Sequence, residues 1–207
     1  MASTRPRLLL RGLSIGGVGP LDAAIAPGEC LALSGPSGAG KTRLLRAIAD
    51  LDPHGGECRL DDRPAGVFAA PAWRRAVAYL PAEPAWWADT PRDHLRTADA
   101  PAGHDRLAAL DLETTMLDRP LTQLSSGQRQ RLALLRLLDG QPQVLLLDEP
   151  TANLDADNIA RVEALVADYC AERDAACVWV SHDPGQRRRV AHRQLALDGR
   201  GRVTACS

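Results

Sequence analysis

The chain has 207 residues, of which 45% are hydrophobic, 25% charged and only 3% aromatic, with a formal net charge of −1. That is enough apolar material for one domain, or for a domain carrying one sizeable insertion, and it crowds out two full-size domains. The near-neutral balance excludes a global basic field for nucleic acid and an acidic excess of the disordered kind.

Five cysteines, Cys30, Cys58, Cys170, Cys177 and Cys206, are scattered without C-x-x-C or His-paired spacing, which leads to the expectation of a reduced, cytosolic protein. The N-terminal run of three leucines is too short for a signal-peptide core, and no stretch approaches the roughly 18 apolar residues of a membrane span. Any membrane role is then expected to come through a partner.

In chain order, residues 8–15 (LLLRGLSI) and 30–34 (CLALS) read as strands, and CLALS runs directly into GPSGAGKT. The loop Gly35, Pro36, Ser37, Gly38, Ala39, Gly40, Lys41, Thr42 fits G-x-x-x-x-G-K-[ST], with the required strand before it and a helical pattern, TRLLRAIADL, after it. Glycines allow the backbone to wrap closely, so successive N–H groups and the helix N-terminus can point at a phosphate. Lys41 is expected to reach the β and γ phosphates of ATP, and the Thr42 hydroxyl to serve Mg²⁺. Lys41 is also the only lysine in the chain, against 24 arginines. A compact ammonium suits a tight ring of amides better than a planar guanidinium does.

Residues 76–80 (AVAYL) read as the next strand. The Pro- and Ala-rich stretch that follows carries three short helical patterns and no convincing strand over 82–123. Within it, Thr90, Pro91 and Asp93 resemble a capped helix start, with Thr90 as N-cap. Residues 129–138 and 158–173 are helical in pattern, while 144–148 (VLLLD), 177–181 (CVWVS) and 194–198 (QLALD) read as strands. Near-continuous apolar strands suit a parallel sheet covered on both faces. Asp148 ends one such strand, as the second Mg²⁺ anchor does beside a phosphate loop, and Glu149 follows it, placed to polarise an attacking water. The expected fold class is α/β with a P-loop core and mainly parallel sheet, an N-terminal antiparallel β portion, and an inserted helical subdomain over 82–135, the core being 1–81 and 136–207.

LSSGQ at 124–128, VLLLDEPTANLD and VSHD, in this order after GPSGAGKT, closely resemble the ordered motif set of ATP-binding cassette (ABC) ATPases. The resemblance covers nearly the whole chain and implies an ATP-hydrolysing subunit of an ABC transporter. It implies that Ser125, Ser126, Gly127 and Gln128 form a signature loop meeting the γ phosphate held by an opposite subunit. Asp155 would lie in a loop crossing the dimer interface, and His182 would contact the γ phosphate. The implied partners are a second, head-to-tail copy of the chain and an integral-membrane permease, with no nucleic acid, and the implied location is cytoplasmic, peripheral on the inner face of the membrane. PAEPAWWADT, VWVSHD and the compact size look most like small bacterial systems associated with iron export. A regulatory nucleotide-binding module with little turnover and a soluble non-transport ABC ATPase are the alternatives.

Two departures from the family stand out. Ala82 occupies the place of a glutamine that touches Mg²⁺, so Glu83 or a water is expected to substitute. Residues 14–28 also lack the aromatic that stacks on adenine in relatives of this kind, which predicts weaker or less selective base binding. Trp86 and Trp87 read either as interface anchors or as packing within the helical subdomain. Trp179 reads as core, Trp73 as either, and QRRRV at 186–190 as a solvated helix face.

Overall fold

The computed structural model describes residues 5–205, and Cys206 lies outside the described residues. In chain order the strands are β1 (Leu8–Ile15), β2 (Val18–Ile25), β3 (Cys30–Ser34), β4 (Gly55–Leu60), β5 (Arg63–Pro64), β6 (Val77–Leu80), β7 (Val144–Asp148), β8 (Ala176–Val180), β9 (Arg193–Leu197) and β10 (Val203–Ala205). The helices are α1 (Lys41–Ile48), α2 (Ala70–Ala76), α3 (Pro101–Ala109), α4 (Ser126–Asp139), α5 (Ala156–Arg173) and α6 (Pro184–Val190).

Two sheets result. One has the order β2-β1-β4-β5 with antiparallel pairing throughout. The other has the order β10-β9-β3-β8-β7-β6, parallel except for its β9–β10 edge pair. The expected α/β class, with its antiparallel N-terminal portion, is therefore the one observed.

β7 and β8 are buried along their whole length because each face of the parallel sheet has its own apolar cluster. Val144, Leu146, Ala176, Val178 and Val180 face the cluster shared with α1 and the antiparallel sheet. Leu145, Leu147, Cys177 and Trp179 face the cluster shared with α4 and α5. Each such Leu side chain contributes about 1.5–3 kcal/mol by leaving water. Trp179 is core, as expected, and Trp73 is also core, with its indole N–H donating to the Ile48 carbonyl at 2.9 Å.

β2 was not apparent in the sequence. Its buried residues Val18, Leu21 and Ile25 break the two-residue alternation of a strand, because its pairing with β1 shifts register twice. Between β6 and β7 the described residues contain no strand. They form single 3₁₀ turns at Pro91–His94, Thr114–Asp118 and Leu121–Gln123 around the short α3, before α4 runs from 126 to 139 across position 135.

The expected cap at Thr90 does not form. The Thr90 hydroxyl donates to the Asp93 carboxylate at 2.8 Å instead of receiving a backbone N–H, and the turn stops at His94. Just beyond it, the Arg96 N–H and the Thr97 hydroxyl both donate to the buried Asp139 carboxylate, at 2.5 and 2.6 Å. That tie to the end of α4 draws the chain away from a longer helix.

Candidate nucleotide site

Parallel strands bring their C-terminal ends to one edge of the sheet, and the loops leaving β3, β7 and β8 meet there. The phosphate-type loop follows β3. Gly40 takes φ 100°, and a Cβ there would stand 2.4 Å from Val18 Cγ2, so only glycine lets the loop close onto the β1–β2 hairpin. α1 then starts at Lys41 with no side-chain cap and no acid in its first turn. Its first backbone N–H groups and its dipole are left to an anion.

Ser37, Gly38, Gly40, Lys41 and Thr42 line a cleft of about 500 Å³ together with Arg43, Ala82, Asp148, Glu149 and His182. Gly35, Pro36 and Ala39 shape the loop from behind. The Gly35 and Pro36 carbonyls accept from Lys41 Nζ at 2.8 and 3.0 Å, and Ala39 is buried in the core. Burial lowers the Lys41 pKa, while the charges of Glu149 and Asp148 work to raise it.

Asp148 is held from two sides. Its Oδ2 accepts the Thr42 hydroxyl at 2.7 Å and the Tyr79 hydroxyl at 3.1 Å. Burial, with the Asp148 carboxylate beside it, pushes the Tyr79 phenol well above its usual pKa and keeps it a donor. Thr42 and Asp148 fit Mg²⁺ chemically, since that ion takes one or two protein oxygens and completes its shell with substrate phosphates and water. Among the described residues no cluster of three or more His, Cys, Asp and Glu side chains could hold a metal unaided.

Glu149 leaves the strand at φ 48° with its N–H on the Val180 carbonyl at 3.1 Å. Its Oε1 stands 3.4 Å from His182 Nε2, within ion-pair range but with no aligned hydrogen bond. Burial raises the Glu149 pKa first and Asp148 adds to that, against His182 and Lys41. A half-buried carboxylate with an unpartnered oxygen and a raised pKa is equipped to take a proton from water. Directly after His182, Asp183 caps α6 by accepting the Gly185 N–H at 2.7 Å.

Ser125, Ser126, Gly127 and Gln128 do not line this cleft. Ser125 and Gln128 form a reciprocal cap at the start of α4, with Gln128 N–H to Ser125 Oγ at 3.1 Å and Ser125 N–H to Gln128 Oε1 at 2.9 Å. Both serines are exposed. Asp155 caps α5 by accepting from the Asn158 N–H at 2.9 Å, which holds its carboxyl below the usual range. Within one chain, then, the loop residues, Asp148, Glu149 and His182 come together, and the serine loop and Asp155 stand apart.

Ala82 forms part of the cleft wall and also borders an adjoining cavity of about 290 Å³, which Glu83 lines with Trp86, Ser126 and Gln130. Glu83 is not among the residues that line the cleft itself. Trp86 is half-buried and Trp87 is 75% exposed. Both rings meet His94 edge-on at 4.9 and 4.3 Å, and the Arg136 guanidinium lies over both at 4.4 and 4.8 Å. In the basic run, Arg189 pairs with Glu163 and Arg187 donates to the Ser181 carbonyl. Tyr79 and Arg43 were not singled out in the sequence. Tyr79 gains its role only because β6 lies beside β7, while Arg43 directly follows the loop motif.

A family model described as ABC transporter matches residues 18–152. The chain is 32% identical over 172 residues, 79% of its length and 76% of the relative's, to the "Probable iron export ATP-binding protein FetA" of Escherichia coli. It is 39% identical over 193 residues, 89% of its length and 74% of the relative's, to the aliphatic sulfonates import ATP-binding protein SsuB of Granulibacter bethesdensis. It is also 39% identical over 193 residues, 87% of its length and 54% of the relative's, to the Fe(3+) ions import ATP-binding protein FbpC 2 of Rhodococcus jostii. A solved structure described as the ATP binding subunit of an ABC transporter superposes with a TM-score of 0.84 at 24% identity, covering 96% of this chain and 88% of that one.

Proposed function

The chain belongs to the ABC transporter ATP-binding family, and on that premise we propose that it hydrolyses ATP to drive transport through a separate membrane permease. The observation that carries this reading is the meeting of Lys41, Thr42, Asp148, Glu149 and His182 in one cleft. The loop amides and Lys41 bind the β and γ phosphates. Thr42 and Asp148 are the residues to hold Mg²⁺, which neutralises phosphate charge when bound. Glu149 takes the proton of the attacking water, and His182 bonds the γ phosphate.

The site is completed by a second copy of the chain. Ser125, Ser126, Gly127 and Gln128 present exposed hydroxyls and a helix N-terminus, a surface suited to an anion, at a distance from their own cleft. A head-to-tail pair brings this surface and Asp155 against the partner's nucleotide, so ATP favours closure and hydrolysis releases it. No helix among the described residues is long and apolar enough to cross a membrane. Because the relatives are named as ATP-binding proteins of import and export systems, the membrane partner in this reading is a permease, with Trp87 as its anchor and the cytoplasmic face as the place of work. Relatives of comparable identity are named for iron export, sulfonate import and ferric ion import, so cargo and direction are set outside this chain.

Turnover by the purified protein tests the reading. Glu149→Gln is expected to lower it about 100-fold or more while ATP still binds. Because burial raises the Glu149 pKa, wild-type turnover should fall with acidification at a pH above the ordinary carboxylate range. Ala82 at the cleft wall favours the second reading, a regulatory module; ATP binding by wild type without measurable turnover would select it.

A further inference from the structure

We propose that Arg43 receives the base of the nucleotide, its guanidinium plane stacking on the purine beside the β1–β2 turn. The inference rests on the reading of the cleft as an ATP site and assigns the end of the molecule which that reading leaves open.

Arg43 follows Thr42 in the first turn of α1, is exposed, and lines the cleft. Its Nη1 lies 3.2 Å from the position a Cβ on Gly16 would take, so the side chain reaches across the rim to the hairpin turn. Gly16 and Gly17 make that turn with φ 54° and 82°, and a Cβ on Gly17 would meet nothing within 4 Å. Val18, the next residue, packs under Gly40 and fixes the turn against the phosphate loop. Glu149 and His182 mark the γ-phosphate end of the cleft. A triphosphate laid with its γ group there must send its sugar and base out the other way, past Thr42. On that side Arg43 is the cleft-lining side chain that reaches the glycine turn.

The charge of Arg43 is not spent elsewhere. Asp52, whose carboxyl feels it, is taken bidentately by Arg46 at 2.7 and 2.8 Å. Among the described residues Arg43 makes no hydrogen bond or ion pair. A planar, weakly hydrated guanidinium stacks on a base face, whereas an ammonium does not offer that plane. The turn that lacks an aromatic thus has a flat cation lying over it.

Calorimetric titration of ATP and of inorganic tripolyphosphate, in metal-free buffer, separates stacking from charge. Arg43→Lys is expected to weaken ATP about tenfold, the worth of one stacked base, and to leave tripolyphosphate unchanged. Arg43→Trp, flat but uncharged, is expected to keep the preference for ATP over tripolyphosphate. ATP affinity retained in Arg43→Lys, or a preference lost in Arg43→Trp, overturns the proposal. If wild type binds ATP no more tightly than tripolyphosphate, base recognition is refuted. If wild type binds neither, the ATP reading of the cleft falls first and separately.

Discussion

The nucleotide cleft and the segment between β6 and β7 are built by opposite means. The cleft sits on the tips of β3, β7 and β8, strands buried on both faces, so Asp148, Glu149 and His182 inherit their positions from long-range packing. The β6–β7 segment is assembled from single turns and a few polar ties, such as those on Asp139, and it leaves Trp87 exposed. Chemistry needs fixed geometry, while a docking surface needs accessible anchors. Each region's construction matches the work proposed for it.

Substitutions at either place test that division. The largest effect is expected at the cleft: Lys41→Arg should cost about 100-fold in turnover, comparable to removing one preorganised charge contact. Near-normal hydrolysis in that variant would mean that the single lysine is an accident of composition. In the other region, Trp87→Ala should weaken retention of a co-expressed permease about tenfold in co-purification and leave the turnover of the free subunit alone. If instead turnover falls and retention holds, the assignment of docking to the helical segment is wrong.

The smallest expected effect lies at the boundary of chemistry and scaffold. Tyr79→Phe removes one of the two hydroxyls on Asp148 and should raise the Mg²⁺ concentration for half-maximal turnover about threefold, roughly a half-made hydrogen bond's worth. Metal-free ATP binding should stay put. A change in metal-free binding of equal size would make Tyr79 a general structural support.

The same contrast explains what could be read from the amino acids alone. β3 and β7 were legible to the residue, because a strand covered on both faces is a run of apolar residues with sharp ends. The cleft residues were legible because Lys41, Thr42, Asp148 and Glu149 sit in short contiguous motifs. β2 escaped because its bulges break the alternation; the helical start at Thr90 was legible, but its arrest at His94 was not, because the distant Asp139 takes the Arg96 N–H and the Thr97 hydroxyl. Tyr79 escaped for a related reason: nothing local says that β6 pairs with β7. Arg43 sat beside the motif, but its reach to Gly16 depends on how the hairpin folds over the loop.

The central claim is that one chain holds half a site: Lys41 in the cleft, the exposed serine loop for a partner. Lys41→Ala and Ser126→Arg, each inactive alone, should regain hydrolysis when mixed, because the mixed pair contains one intact cleft facing one intact serine loop. Activity that stays absent on mixing, with both variants folded and pairing with wild type, would contradict the composite site.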